Sequence, residues 1–291
     1  MSNQSSSFSL VDLGKWSEPV TKLIETMSAG LGTLYEPKRI RQEAEAKADA
    51  ERIMAQAAAD AAIIKAKGSI EVQMVALRAS ERIAAWELRR QQNLEAIADL
   101  AIHQLPESVN SKKVDRDWIA QFLNYAQDVS NEDMQAIWAR LLAGEVTQPG
   151  SFSLRTLQLV RLLRPADATL FQKFCSYLWR TEDGLMNFTD GVTDDLLRKQ
   201  GVGIEGFIHL DSLGLVPRGS IGYAFDAPQA EVEYGGKKYL LKGVQQYRLS
   251  VRVLTSVGSE LAPLCDTEID AEYLTHWIEE WKNNKVEVQE S

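Results

Sequence analysis

The residues most able to do chemistry in this sequence are scattered along it rather than grouped. None of the three histidines has a second histidine or a cysteine at the spacing of a zinc site: His103, His209 and His276. Residues 201–206 spell GxGxxG, but they follow a polar helix end, whereas a pyrophosphate site needs those glycines between a strand and a helix. We therefore expect no catalytic residue, no cofactor and no metal, and an enzyme with a dispersed site is the last alternative.

The cysteines and one charged pair have structural interpretations. Cys175 and Cys265 lie in apolar, helix-like contexts, which favours buried free thiols in a reducing compartment. Glu145 and Arg155 flank the turn at residues 149–150, so an ion pair between them is predicted across that turn. We interpret this pair as a structural clip, and a binding site is the alternative.

The charge balance limits the classes of partner. Aspartate and glutamate outnumber lysine and arginine by 41 to 32, which gives a net charge of −9. Binding to the phosphates of nucleic acid requires a basic excess, so nucleic acid is not expected as a main partner. The first residues lack the basic segment and apolar core of a signal peptide, and no apolar run is long enough for a transmembrane helix. We expect a cytoplasmic protein.

An amphipathic helix is predicted over residues 10–35, after a disordered polar tail at 1–9. Its apolar residues recur every three or four positions: Leu13, Trp16, Val20, Leu23 and Met27. Such a stripe packs on the same chain or on a second copy, and we assign these five residues to assembly. The alternative is a helix that lies in a membrane surface and makes the protein membrane-peripheral, although its polar face has few basic residues for anionic lipid.

One or two very long helices are predicted over residues 37–105, and 11 of the residues 44–66 are alanine. Alanine favours helix but buries little area, so contact with neighbours must supply the stability. We assign the alanines that recur on one helix face to homo-oligomeric assembly: Ala44, Ala48, Ala55, Ala59 and Ala62. Beyond Gly68 the stripe is bulkier, with Val72, Val75, Ile83 and Trp86. A rod about 100 Å long and a hairpin that turns near Gly68 both stay open.

The remainder is predicted as a helical bundle over 106–185 and a winged-helix-like α+β module over 186–291. The bundle includes one helix that starts at Ser130 and another that runs from Pro165 to about Trp179. In the module, helices over 192–200 and 203–213 precede strands over 221–225, 230–234, 238–241 and 247–254, and a helix over 268–282 ends it. The fold class is thus mainly α with a small α+β part, and the residues 10–105 form a long N-terminal helical rod.

The winged-helix prediction raises the alternative of a DNA-binding regulator. The predicted hairpin, or wing, carries Lys237, Lys238 and Lys242. The candidate recognition helices over 192–213, however, are richer in aspartate and glutamate than in basic residues. A structural or protein-binding module is therefore the preferred interpretation.

Four short motifs carry a family resemblance: LYEPKRIR at 34–41, WARLLAGE at 138–145, PGSFSLRTL at 149–157 and LTxxGxEL at 254–261. Together they resemble bacterial proteins of prophages and mobile elements that are related to the abortive-infection alpha proteins. The resemblance implies defence against phage by growth arrest or cell sacrifice, and it implies no reaction. We expect a self-assembling antiviral-defence protein that acts through its helical rod and binds itself and a phage or host protein. The alternatives are a DNA-binding regulator and a membrane-perturbing effector that uses residues 10–35.

Overall fold

The computed structural model of the 291-residue chain describes residues 17–32, 55–56, 70–245 and 247–290. The chain divides into two compact units, residues 1–157 and 158–291, and the division falls within the helix Leu154–Leu162. The predicted tail at 1–9 and most of the alanine-rich segment lie outside the described residues, so the choice between rod and hairpin stays a prediction. None of the helices in the described ranges has the length and apolarity that a bilayer crossing requires.

The regular elements described in the first unit are helices. They are α1 (Glu18–Leu31), α2 (Ile70–Ile102), α3 (Arg116–Ala126), α4 (Glu132–Thr147) and α5 (Leu154–Leu162), the last of which crosses the division. Side-chain caps set two of the starts. The carboxylate of Asp115 accepts from backbone N–H groups at the start of α3, and the amide oxygen of Asn131 does the same for α4. The predicted cap at Ser130 is therefore one residue early.

Helix α1 packs closely against α3 and also contacts α4. A Cβ atom added to Gly30 would lie 2.5 Å from Cδ1 of Leu123 and 2.9 Å from Cγ1 of Ile119. Only glycine permits this approach of the two helices without a shift of the neighbouring side chains. Beneath them, Trp118 stacks on Phe122 and Phe122 meets Trp138 edge to face, at centroid distances of 5.2 and 5.3 Å.

The second unit is built on one antiparallel sheet of seven strands. Its elements follow in the order α6 (Pro165–Cys175), β1 (Trp179–Thr181), β2 (Gly184–Thr189), α7 (Gly191–Lys199), α8 (Ile204–Ser212), β3 (Ile221–Ala224), β4 (Gln229–Tyr234), β5 (Lys237–Lys242), β6 (Arg248–Val253), α9 (Ser256–Leu261), α10 (Ala271–Asn283) and β7 (Glu287–Glu290). The spatial order of the strands is β3-β6-β2-β1-β4-β5-β7. The chain is therefore mainly α-helical with a β-sheet part.

The four predicted strands correspond to β3–β6 and are confirmed, as are the short helices α7 and α8. The helix predicted from Pro165 to about Trp179 is wrong at its end, because α6 stops at Cys175 and Trp179 begins β1. A tight turn with Gly184 at φ 115° joins β1 to β2 within the region expected to be a helical bundle. The physical reason is the core, where the Trp179 ring lies 4.8 Å from Tyr234 and 5.1 Å from Trp281.

Candidate functional site

The first half of α2 exposes an unusual amount of apolar side chain. Seven large apolar residues between positions 72 and 88 are more than a third exposed: Val72, Met74, Val75, Leu77, Ile83, Trp86 and Leu88. Scattered single apolar residues are normal on a protein surface, but a contiguous group marks an interaction surface. This group is the strongest candidate for a functional surface in the first unit.

Four of these residues form the exposed stripe, defined here as Val72, Val75, Ile83 and Trp86. An α-helix turns by about 100° per residue, which places all four within one side of α2. The same side continues toward the C-terminal end of the helix at Leu94, Ile97 and Ala101, which are buried. The apolar residues of this side are thus covered by their own unit toward the C-terminal end of α2 and uncovered toward its N-terminal end, and Arg90 lies on the same side between the two groups.

The covered end of α2 is anchored by packing and by a buried amide network. Helix α2 packs mainly against α4 and also contacts α3. The Asn93 side-chain amide donates to the carbonyl oxygen of Gln127 at 2.8 Å, and the Gln135 amide donates to Oδ1 of Asn93 at 3.3 Å. On the surface, Arg90 bonds Oδ1 of Asp128 at 2.9 Å. The exposed stripe therefore lies on the first half of a helix whose second half is anchored in the first unit.

The opposite side of α2 provides a natural comparison. Leu77 and Leu88 lie roughly 140–160° around the helix from Val72 by the same geometry, and each is 38% exposed. Along their side of the helix, Arg78 and Glu81 are exposed, and the buried residues are the small Ala84 and the polar Glu95. The exposed stripe differs from them because it is more exposed and because large apolar residues, Leu94 and Ile97, are buried further along its side.

The predicted assembly residues differ in burial, and several lie outside the described residues. Leu23 and Met27 are fully buried within the first unit, where α1 packs on α3 and α4, so they are corrected from assembly residues to core residues. Val20 is half-buried and Ala55 is an exposed helical residue. The other predicted assembly residues lie outside the described residues: Leu13, Trp16, Ala44, Ala48, Ala59 and Ala62.

Glu145 is buried and held by backbone groups. Its two carboxylate oxygens accept from the N–H groups of Gly150 at 2.6 Å and Phe152 at 3.1 Å. Burial raises the pKa of Glu145 despite these bonds. Arg155 is exposed, and no ion pair joins it to Glu145 in this part of the chain, which the structure describes completely. The predicted ion pair is therefore not formed, and the Glu145 carboxylate holds the turn through backbone N–H groups instead of through Arg155.

A polar cluster lies at the end of β2 in the second unit. The guanidinium of Arg252 is 2.7 Å from Oδ1 of Asp194 and its Cζ lies 4.3 Å from the ring centroid of Phe207. Nearby, Nε2 of His276 is 2.6 Å from Oδ2 of Asp190, the N-cap of α7. Burial acts to raise the pKa of Asp190, but hydrogen bonds from Thr193 and His276 outweigh it and lower that pKa. These charges hold α7 and α8 on the sheet.

The histidines and acidic residues do not form a metal site. Within the described ranges, no group of three or more histidine, cysteine, aspartate or glutamate side chains could hold a metal ion. His209 bonds the buried carboxylate of Asp167 at 2.8 Å, where Arg164 also binds. Burial opposes the effect of the Arg164 guanidinium, which nevertheless holds the pKa of Asp167 well below its usual range. This arrangement caps α6 and offers no nucleophile.

The wing lysines are paired with carboxylates. Nζ of Lys237 lies 2.7 Å from Glu290, and Nζ of Lys238 lies 2.7 Å from Glu231. These pairs are exposed and raise the pKa of both lysines through hydrogen bonds from their ammonium groups. Counter-charged lysines contribute little to phosphate binding, because the carboxylate must first be displaced.

Comparison with known proteins gives one match. The family model described as "Protein of unknown function (DUF2806)" matches residues 77–278. This chain belongs to the DUF2806 family. No curated protein and no solved structure matches it.

The DUF2806 match includes part of the exposed stripe. Ile83 and Trp86 lie inside the matched range, whereas Val72 and Val75 precede it. The match also covers the polar cluster and most of the aromatic core of the second unit, although Trp281 lies beyond it. The exposed stripe itself was visible in the sequence as the bulkier continuation of the alanine face. What the sequence did not reveal is which half of that face its own unit covers.

Proposed function

We propose that this protein is a homo-oligomer whose copies associate through the exposed stripe of α2, and that it serves in antiviral defence. The single observation that carries the proposal is the apolar side of α2, on which Leu94, Ile97 and Ala101 are buried while Val72, Val75, Ile83 and Trp86 are uncovered. An apolar face that is core at one end needs a partner at the other. A second copy supplies the same face at the same spacing.

The spacing of the sequence supports pairing of identical helices. Apolar or small residues recur at intervals of seven, as in a heptad repeat, and form two rows. The first row contains Ala48, Ala55, Ala62, Ser69, Ala76 and Ile83. The second row contains Ala44, Ala58, Val72, Ala79 and Trp86. Only Glu51 and Lys65 interrupt the second row, and Ala59 falls outside both. Rows of this kind form the seam of a coiled coil. Three of the four residues of the exposed stripe, all but Val75, are thus in phase with four of the five predicted assembly alanines.

The size of the surface determines how much of the seam must take part. A stable interface buries roughly 800 Å² on each partner, which four half-exposed side chains do not provide. Association therefore requires the in-phase alanine rows upstream of Val72 as well as the exposed stripe. This requirement distinguishes a coiled coil that includes the alanine rows from a small apolar interface formed by the exposed stripe alone.

Two deletions at one place test the requirement for phase. Removing residues 62–68 takes out one full repeat and keeps the two rows aligned, whereas removing residues 62–66 rotates the upstream rows by about 140°. In sedimentation equilibrium we expect the full chain and the seven-residue deletion to associate and the five-residue deletion to dissociate. A full chain that is monomeric at micromolar concentration refutes the proposal, as does equal association of the two deletions.

The role in defence rests on the resemblance to proteins related to the abortive-infection alpha proteins, with the partner being a phage or host protein in the cytoplasm. Cells that express the full chain should resist infection by at least one phage. Resistance should be lost with Trp86→Ala and kept with Leu88→Ala, which alters the opposite side of the same helix. If Trp86→Ala and Leu88→Ala protect cells equally well, defence does not depend on assembly through the exposed stripe.

We further propose that α7, α8, β3, β6 and α9 form a winged-helix-type arrangement that binds protein. Support comes from the junction between α8 and α9, where the Thr255 hydroxyl donates to the carbonyl oxygen of Gly214 at 2.6 Å. The outer face of α8 exposes Ile204 and Ile208 beside Glu205, a composition suited to a protein partner. Salt-dependent binding of duplex DNA that is lost when Lys237 and Lys238 are neutralised would favour the regulator instead, although these lysines lie on β5, outside this arrangement.

A further inference from the structure

The end of α6 and the segment before α10 run side by side in the second unit. The side-chain amide of Gln172 donates to the carbonyl oxygen of Asp266 at 2.7 Å, and the backbone N–H of Glu268 donates to Oγ of Ser176 at 3.2 Å. One turn further on, the hydroxyl of Tyr177 donates to Asp270 at 2.6 Å. Three bonds therefore hold these two segments in a fixed register.

Each of these segments carries one cysteine, and both cysteines are free thiols. Cys175 ends α6 between Gln172 and Ser176, and Cys265 immediately precedes Asp266. The two line the same cavity of about 400 Å³, together with Arg180, Glu233 and Pro263. Cys175 is buried and Cys265 is half-buried. Burial, and then the neighbouring Cys265 thiol, raise the pKa of Cys175 well above its usual value.

We propose that Cys175 and Cys265 form a reversible oxidation site at which the two thiols join in an intrachain disulfide. The two thiols line one cavity and interact with each other, so the two sulfurs need only approach to bonding distance, about 2.05 Å. Disulfides in reducing compartments are transient and redox-sensing rather than structural. The site is independent of the exposed stripe, because the two cysteines lie in the other unit.

The chemistry requires an oxidant, and a hydroperoxide is sufficient. The thiolate of Cys265, the more accessible sulfur, attacks the peroxide oxygen and becomes a sulfenic acid while the peroxide leaves as water or an alcohol. The sulfur of Cys175 then attacks the sulfenic sulfur, its proton joins the departing hydroxide as water, and the disulfide is formed. The two thiols together lose two electrons and the peroxide gains them. A dithiol reverses the reaction by two exchanges.

The disulfide would close a long loop and hold the segment before α10 against α6. A crosslink of that length stabilises chiefly by restricting the unfolded chain. We expect the oxidised protein to melt several degrees higher than the reduced protein.

The experiment treats the reduced full chain with hydrogen peroxide and measures intact mass, peptide linkage and melting temperature. The expected result is a monomer lighter by about 2 Da, with the two cysteine peptides linked and the change reversed by dithiothreitol. Cys175→Ala and Cys265→Ser should each abolish the mass change and the rise in melting temperature.

Three results would overturn the proposal. The first is a sulfinic acid on Cys265 while Cys175 stays a free thiol. The second is a covalent dimer linked through Cys265 on a non-reducing gel. The third is linkage that appears only after the protein has been unfolded. Each can be read on the wild-type protein alone, so a variant that fails to fold does not remove the test.

Discussion

Trp86→Ala gives the sharpest test of the assembly surface. Trp86 is 46% exposed, and a tryptophan side chain can bury roughly 150–250 Å², so roughly 70–115 Å² remains to be covered. At about 25 cal/mol per Å² this is about 2–3 kcal/mol for each copy. Association does not recover all of the area energy. We therefore expect a symmetric pair to lose at least about 2 kcal/mol, a roughly 30-fold rise in Kd.

The assay is sedimentation equilibrium of the full chain over a range of concentrations. Leu88→Ala is the matched control, because Leu88 is also exposed but lies on the opposite side of α2. Trp86→Ala also removes the contact with Arg82, whose guanidinium lies 5.2 Å from the Trp86 ring centroid. Circular dichroism of Trp86→Ala must therefore show that α2 is still helical. The exposed stripe is not the interface if Trp86→Ala leaves Kd unchanged, or if Leu88→Ala weakens association as much.

Three further substitutions test the fold around the candidate sites. Gly258→Ala should destabilise the second unit by about 2–4 kcal/mol, because the added Cβ would lie 2.2 Å from the Leu215 carbonyl oxygen; chemical denaturation monitored by tryptophan fluorescence measures this loss. Glu145→Gln should cost about 1–3 kcal/mol, since its NH₂ group would face the N–H of Gly150 or Phe152, and thermal melts of the first unit's helices would record it. Asp190→Asn should remove part of the acid sensitivity of the fold. The lowered pKa of Asp190 stabilises the fold above the unfolded value near 3.9, and that stability is lost as the pH falls through the folded pKa. The stability of the variant should therefore depend less on pH than that of the wild type below pH ~4, and identical stability–pH curves would contradict the assigned role.

The strands show what local sequence can and cannot reveal. β4 and β5 were predictable because alternating apolar residues flank the Gly235-Gly236 turn, where both glycines have positive φ. β1 was missed because three residues, Trp179–Thr181, are too short for a periodic signal and follow a helical segment. Asp183-Gly184 was a usable turn signal between β1 and β2. What decides the strand is the aromatic core around Trp179, which only the folded chain brings together.

The candidate surface shows the same limit for function. Ile83 and Ile97 lie on the same face of α2, a whole number of heptads apart, yet Ile83 is exposed and Ile97 is buried. Periodicity identifies the face, but the contacts of α4 decide which part is core. Likewise, the sequence predicts an ion pair between Glu145 and Arg155 across the turn at 149–150, but it does not reveal that backbone N–H groups satisfy the carboxylate instead.

The strand order of the sheet has a consequence for how the chain is made. β2 lies beside β6, which is synthesised much later, and β5 is flanked by β7, residues 287–290. Loop-closure entropy makes such distant pairings slow, whereas neighbouring helices form contacts quickly. The helices before residue 157 can therefore fold while the ribosome is still translating, and newly made chains would expose their stripe to one another on a polysome before the sheet is complete.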